Sequence, residues 1–420
     1  MAGYFSKTDF TPSTSNTYTV SFWVKINNFA PTSSNVPYLW SISDSDTSGL
    51  FFQADTTPYN ITFFRSNGSQ RFSPTNYMRD VNAWWHIHLK VSSGTGTLYY
   101  NGESVKTSIT VDAQNYNGGG AEHYIHTYGS GLTGYDNLEC VMSHFHFVDG
   151  TAYEPTVFGS TDSTTGEWKI NTSPSVTYGT NGYFILKDGN TGTDHSGNGN
   201  NFTLTGTCTK TEDCPSNVFC TMNPLDKHAD LILGNGNTKT VSPSNAWHPC
   251  KATIGMLGQN GKFYWEGKCS SGTNHYFGVY DASGSVRGSV QSDMDSNRFV
   301  YTYAGGMERT ITGQSAINSG TYATISNNDI VGVGLDKENG TITFWKNGTQ
   351  IYTETHSSLQ TKDLIPGTQA YGSDIFWNFG NGYFGTTQVS SAGTNASGNG
   401  IFEYDVPSGY TALSTKGLNL

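Results

Sequence analysis

Charge is scarce in this 420-residue sequence: only 13% of it is Asp, Glu, Lys or Arg. A coiled coil or helix bundle is excluded, because both need many Glu, Lys, Ala and Leu at helical spacing. Lys and Arg number 22 against 33 acidic residues, for a net charge of −11 and a pI near 5.4. No Lys/Arg cluster interrupts that balance, so no nucleic-acid partner is expected; phosphates are neutralised by such clusters. Long apolar runs are also missing. None approaches the roughly 20 residues of a membrane span, so no membrane insertion is expected. The opening residues, Met1 to Thr8, lack the apolar core of a secretory signal. This predicts retention in a cytoplasm, or exit by a route other than secretion. Cysteine is sparse, at 6. Cys208, Cys214 and Cys220 are spaced too widely for a zinc knuckle, and reduced thiols are the expectation for all six (with Cys140, Cys250 and Cys269).

Glycine and aromatic residues are abundant: Gly 50, Tyr 25, Phe 23 and Trp 9. Disorder is excluded, because disordered chains are depleted in aromatics. An all-β protein with many Gly and Asn turns fits best. Strand signals begin at Tyr18–Lys25, where Val20, Phe22 and Val24 share a face. Tyr38–Ile42, Leu50–Phe52 and Ile61–Phe64 follow. Trp85, Ile87, Leu89 and Val91 then form an apolar face, with Trp84, His86, His88 and Lys90 opposite. That pattern predicts one face on a core and one on solvent. Leu98-Tyr99-Tyr100 runs into Asn101-Gly102, a favoured type I′ hairpin pair. Short strands at this density predict a sandwich or barrel.

The run Ser21–Lys25, the strand at Ala83–His86 and the hairpin at Leu98–Gly102 together resemble a laminin-G-like, concanavalin-type jelly roll over residues 1–160. The closing segment Phe145–Pro155, followed by Phe158-Gly159, is similar to the end of this domain in tail and structural proteins of marine bacteriophages. Gly166–Lys169 and Tyr178–Tyr183 continue that resemblance. Residues 161–245 are rich in Thr, Ser, Asn and Gly and read as a connector with short strands. Within them Asp194–Asn201 resembles the opening element of laminin-G-like domains, and Asn223–His228 another phage motif.

In residues 246–420, Lys262–Lys268, His275–Tyr280, Asp329–Asp336, Thr341–Trp345 before Asn347-Gly348, and Ile375–Gly380 resemble a SPRY domain in order and residue type. The fold class expected is therefore all-β: two concanavalin-like antiparallel sandwiches joined by the connector. A weak echo links the halves, because Trp84 precedes Asn101-Gly102 by nearly the same interval as Asp329 precedes Asn347-Gly348. Any two antiparallel meanders could share it.

Some concanavalin-like sandwiches are glycosidases. A retaining one needs two carboxylates about 5–5.5 Å apart. The best candidate is Glu403-Tyr404-Asp405, acids two residues apart near a strand end, but the second catalytic Glu is missing and a polar strand end is the favoured reading. No nucleophile elbow, H-E-x-x-H or Walker A occurs. Gly129–Gly134 matches a dinucleotide pattern by letter, but without the βαβ context it reads as a turn. The sequence reads as a non-enzyme.

No cofactor is expected; calcium is a candidate ion, through Asp44 and Asp46 in a short Asp/Ser loop. Two His-x-His pairs, His86/His88 and His144/His146, each place imidazoles about 7 Å apart on one strand face. On neighbouring strands the four could converge on zinc or nickel; the competing reading is a solvated polar face. Phe22, Trp23, Trp265 and Phe379 read as core. Trp40, Trp84, Tyr99, Tyr276 and Trp345 read as candidate sugar contacts, since a pyranose offers an apolar face to a flat ring.

The resemblance implies a virion protein, a tail-fibre or appendage component that binds host cell-surface glycan. A capsid or tail decoration protein that binds only other virion proteins is the alternative, and a polysaccharide hydrolase the third reading. A homo-oligomer, such as a trimer, is the expected assembly.

Overall fold

The computed structural model describes residues 3–419 apart from 12–15, 29–37, 44–48, 57–58, 66–69, 75, 77, 79, 81, 112–121, 128–138, 188–190, 244–245, 259, 273, 284–285, 287–297 and 313. The chain divides into two compact units. One holds Met1–Lys210 and Cys214–Ser216, the other Thr211–Asp213 and Asn217–Leu420. Residues 161–245 therefore do not stand apart as a connector. Their first part pairs into the first unit and their last part into the second.

The first unit carries β1 (Tyr4–Lys7), β2 (Tyr18–Asn28), β3 (Tyr38–Ser43), β4 (Gly49–Thr56), β5 (Tyr59–Arg65), β6 (Gln70–Phe72), β7 (Trp84–Ser92), β8 (Thr95–Tyr100), β9 (Glu103–Thr110), β10 (Glu122–Ile125), β11 (Glu139–Asp149), β12 (Gly159–Thr161), β13 (Trp168–Ile170), β14 (Tyr183–Ile185) and β15 (Thr203–Thr205). They form a sheet in the order β15-β1-β10-β3-β4-β5-β6 and a second in the order β14-β11-β2-β7-β8-β9, with β12 and β13 as a separate hairpin. Alternation sets the core. Val20, Phe22 and Val24 of β2, Ile87, Leu89 and Val91 of β7, and Phe145 and Phe147 of β11 point inward. They meet Trp40, Phe52, Ile61 and Phe63 from the other sheet. Phe22 stacks on Phe145 at 5.0 Å and meets Phe52 edge-on at 5.5 Å.

The second unit carries β16 (Met222–Lys227), β17 (Ile232–Gly234), β18 (Lys239–Val241), β19 (His248–Ala252), β20 (Lys262–Ser271), β21 (Asn274–Asp281), β22 (Arg298–Thr302), β23 (Met307–Thr310), β24 (Ile317–Ser319), β25 (Ile330–Asp336), β26 (Thr341–Lys346), β27 (Thr349–Thr355), β28 (Leu364–Tyr371) and β29 (Asp374–Asn378). Their sheets run β16-β19-β28-β21-β22-β23-β24 and β17-β18-β29-β20-β25-β26-β27. Trp265, Val331, Val333, Phe344 and Trp377 face Phe277, Val279, Phe299 and Tyr301 across the core.

Both predicted hairpin turns form. Asn101 and Gly102 have φ of 47° and 79°, Asn347 and Gly348 of 49° and 79°, as a type I′ turn requires. Each Asn also closes its hairpin in the same way. Its side-chain oxygen accepts the amide of His86 or Ile330, and its own amide bonds the carbonyl of that residue. The echo between the halves is thus a shared local device. A β-carbon on Gly102 would fall 2.4 Å from the Trp168 ring. Gly102→Ala is therefore expected to cost the first unit about 1–3 kcal/mol, from left-handed strain plus displacement of that ring. A urea midpoint unchanged from the parent would contradict this.

Each sandwich has a further layer outside one sheet. In the first unit the segment after β11 folds back over β2, β7 and β11 with Tyr153, Phe158, Trp168, Tyr178 and Phe184. In the second, Phe402, Val406, Tyr410 and Ala412 cover Tyr264 and Trp345 outside β20, β25 and β26. Gly332 and Gly334 make room there: a β-carbon would lie 2.5 Å from the Tyr264 hydroxyl or 2.8 Å from the Trp345 ring.

One loop is built twice. In Asp194–Asn200 and in Asn395–Gly400, the first side chain accepts from the serine amide and hydroxyl two residues on (Ser196, Ser397), and each serine hydroxyl accepts the amide of the next asparagine (Asn198, Asn399). Asn198 then bonds the carbonyls of Gly179 and Gly182, while Asn399 bonds Thr411 and Ser414. Each copy pins its unit's covering segment.

Candidate functional site

The His86/His88 face of β7 is not solvated. The covering segment buries it, and the four histidines do not converge. β2 lies between β7 and β11, with Ser21 opposite both His88 and His146. A bulge between Ser143 and His146, with His144 at φ 49°, also breaks the alternation that would put His144 and His146 on one face. Each ring already has partners. Trp168 Nε1 donates to His86 Nδ1 at 3.1 Å, so His86 Nε2 carries the proton and donates to Ser21 Oγ at 2.8 Å. His88 Nε2 donates to the Tyr153 carbonyl at 3.0 Å. His146 Nδ1 meets the Tyr178 hydroxyl at 2.8 Å, and His144 Nδ1 the Ser143 hydroxyl at 2.7 Å. Rings pack above them, with His146 on Phe184 at 4.0 Å and His86 parallel to Trp168 at 5.9 Å. Burial pushes His88 down to about 3 and holds His86 and His146 well below the usual imidazole range. This is a neutral, hydrogen-bonded layer. A metal would have to break it.

The five aromatic candidates separate. Trp40 is wholly buried, donates to the Tyr183 hydroxyl at 3.1 Å and packs on Phe52 and Phe145. It is core, because its side of β3 faces the other sheet. Tyr276 is 7% exposed, closed in by Trp247 at 4.9 Å and the Arg298 guanidinium at 5.6 Å. Neither ring is open to a sugar. Trp84, Tyr99 and Trp345 are half-buried. Lys25 covers Trp84, His88 meets Tyr99 edge-on, and Trp345 leans on Tyr264. Phe22, Trp265 and Phe379 lie in the cores; Trp23 is buried too, but on the outer side, stacked on His86 at 5.0 Å. Asp44 and Asp46, and the Gly129–Gly134 turn, fall outside the described residues.

Acids and thiols carry structural bonds. Glu403 accepts the Ser390 amide and hydroxyl, and Asp405 those of Thr394. Behind them Glu266, wholly buried, accepts from the amides of Glu403 and Tyr404 at 3.0 Å and from Tyr264 and Asn378 at 3.2 Å. Burial pushes Glu266 up to about 7 against those four donors. Cys269 Sγ lies 3.0 Å from His275 Nε2, but burial raises the thiol and lowers the imidazole to about 4. The pair is neutral, not an activated thiolate.

A concave site does open in the second unit. A cleft of about 370 Å³ is lined by Lys262, Glu338, Ser397, Gly409, Tyr410 and Gly417, among others. Lys262 is held by Asp336 at 3.0 Å, and the Glu338 side is exposed. The cleft joins the Tyr410 ring and the buried Phe263 to an ammonium, a carboxylate, a hydroxyl and open glycine backbone. It can hold a small polar ligand with an apolar face. It was not legible in the sequence, because its lining comes from five stretches between residues 260 and 418. Elsewhere His228, Asp230 and His248 bring potential metal donors together, also unforeseen.

Among the described residues no helix is long and apolar enough to cross a membrane. The family model for the concanavalin A-like lectin/glucanases superfamily matches residues 2–138, and that for the SPRY domain residues 262–382. Among solved structures, the SPRY domain of human HERC1 is 18% identical, with 37% of this chain and 96% of that chain covered and a TM-score of 0.31. The TRIM65 PSpry domain is 16% identical, with 38% and 88% covered and a TM-score of 0.31. Stonustoxin is 21% identical, with 39% and 27% covered and a TM-score of 0.29. The chain thus carries a segment that matches the concanavalin A-like lectin/glucanases superfamily, followed by one that matches the SPRY domain, two antiparallel β-sandwiches of kinds that typically serve as binding modules, though some members of the first superfamily are hydrolases.

Proposed function

We propose that this protein is a non-enzymatic binding component of a bacteriophage particle, carried on a tail fibre or similar appendage, that holds host cell-surface glycan. The observation that carries the binding reading is the Lys262–Tyr410 cleft, whose ring, charges and exposed backbone suit a sugar's apolar face and hydroxyl rim. Such a shallow site binds weakly alone, and many copies in one particle or a homo-oligomer raise its effect. The roles of Glu403 and Asp405 in pinning a turn support a binder over a polysaccharide hydrolase. The similarity of Phe145–Pro155 and of Asn223–His228 to phage structural proteins supports a place in the virion.

The test is a glycan array probed with the assembled protein. Binding is expected, and Glu338→Gln and Tyr410→Ala are each expected to weaken it about tenfold, or roughly 1.4 kcal/mol. Glu338 is exposed, so its substitution leaves folding intact. An array without signal from the oligomer sinks the glycan reading and leaves virion decoration, with only other virion proteins as partners. Release of reducing ends from a polysaccharide would establish the hydrolase instead.

A further inference from the structure

We propose that His228, Asp230 and His248 form a binding site for a first-row transition-metal dication of the zinc class. The site lies in the second unit and does not depend on the glycan reading. One donor atom from each residue lies within 4.8 Å of the other two. The imidazole rings are 4.6 Å apart and inclined at 65°, and His228 Nδ1 is 3.9 Å from Asp230 Oδ2. Zinc with bonds of about 2.0–2.2 Å needs donors roughly 3.3–3.5 Å apart. Closing that gap asks for up to about 1.5 Å of movement, to which the Asp230 side chain, 72% exposed, can contribute.

The scaffold is rigid where it matters. His228 follows β16 directly, and its amide bonds the Pro249 carbonyl at 2.9 Å, tying it beside the first residues of β19. The Lys227 ammonium holds the loop by the carbonyls of His228, Ala229 and Leu231. On the other side, the Ser242 hydroxyl donates to the Ala370 carbonyl at 2.9 Å and accepts the Gly372 amide at 3.2 Å. With the hydroxyl proton on that carbonyl, His248 Nδ1, 2.8 Å from Ser242 Oγ, donates to it. This leaves the lone pair on Nε2. An outer partner that fixes the tautomer of a ligating histidine is what metal sites use. The present competitor is the Asp230 amide, which donates to His228 Nδ1 at 3.2 Å. That is a long contact, weaker than a metal bond.

Two imidazoles and one carboxylate select zinc, nickel or copper over calcium and magnesium, which prefer oxygen throughout. Three protein ligands also leave a position for water or a small ligand. The test uses the full chain without a polyhistidine tag. Calorimetric titration with zinc chloride is expected to show one high-affinity site, with calcium chloride giving none there. Asp230→Ala, on an exposed side chain, is expected to weaken zinc at least about tenfold, as are His228→Ala and His248→Ala. The ring nitrogen signals of His228 and His248 should shift on zinc addition and those of His86 and His88 should not. No zinc uptake by the intact chain, or uptake unchanged in Asp230→Ala and His228→Ala, overturns the proposal.

Discussion

Acidification from pH 6.5 to 4.5 is expected to remove about 2 kcal/mol of the first unit's stability through His88 alone. The folded protein holds this ring neutral down to about 3, whereas the unfolded chain protonates near 6.5. The unfolded state therefore binds more protons throughout that window. The stability is fully present above pH 6.5 and is lost as pH falls towards 3. His86 and His146, lowered by the same burial, add loss of the same sign. The charged neighbour packed beside the layer is Lys90, which is paired with Glu154 at 2.5 Å and offers a new imidazolium no compensation. Ordinary carboxylates stay mostly ionised down to about pH 5, so the upper part of the window reads chiefly the histidines. Hydrogen exchange followed by mass spectrometry in peptides spanning β7 and β11, at pH values across the window and corrected for intrinsic rates, would read the effect. His88→Gln, which keeps a donor for the Tyr153 carbonyl but cannot titrate, should flatten the profile. A profile equally steep in that variant would show that another group carries it.

Truncating Glu266 to Ala is expected to cost the second unit at least about 3 kcal/mol. The change orphans the amides of Glu403 and Tyr404, the Tyr264 hydroxyl and the Asn378 amide at once, in surroundings that water does not reach. It also unhooks the covering segment that buries Tyr264 and Trp345. Glu266→Gln keeps an acceptor oxygen and should lose less. The pH dependence here has the opposite sign to the first unit's. Folding raises Glu266 from 4.5 to about 7, so its contribution is fully present below pH 4.5 and declines as pH rises to about 7. Urea denaturation with exchange at residues 403 and 404 measures both. A loss below about 1 kcal/mol in Glu266→Ala, with those amides still protected, would mean that the segment is held by its apolar contacts alone.

Local pattern was sufficient for the all-β class, for the inward faces of β2 and β7, and for both Asn-Gly hairpins. Alternation with period two and a left-handed turn pair are properties of a few consecutive residues, and nearby backbone sterics enforce them. The same logic divided Tyr99 from Tyr100 and Trp345 from Phe344. It failed on what lies outside the sheets. Trp84, His86, His88 and Lys90 read as a solvent face, yet Tyr153, Phe158 and Trp168 close over most of it. A histidine satisfied by a distant carbonyl and one satisfied by water look alike in a sequence. Likewise His228 and His248 are separated by a stretch that holds β17 and β18, and only the pairing of β16 with β19 sets their rings together. Which faces stay wet, and which distant side chains meet, are consequences of long-range chain closure, and no local period encodes them.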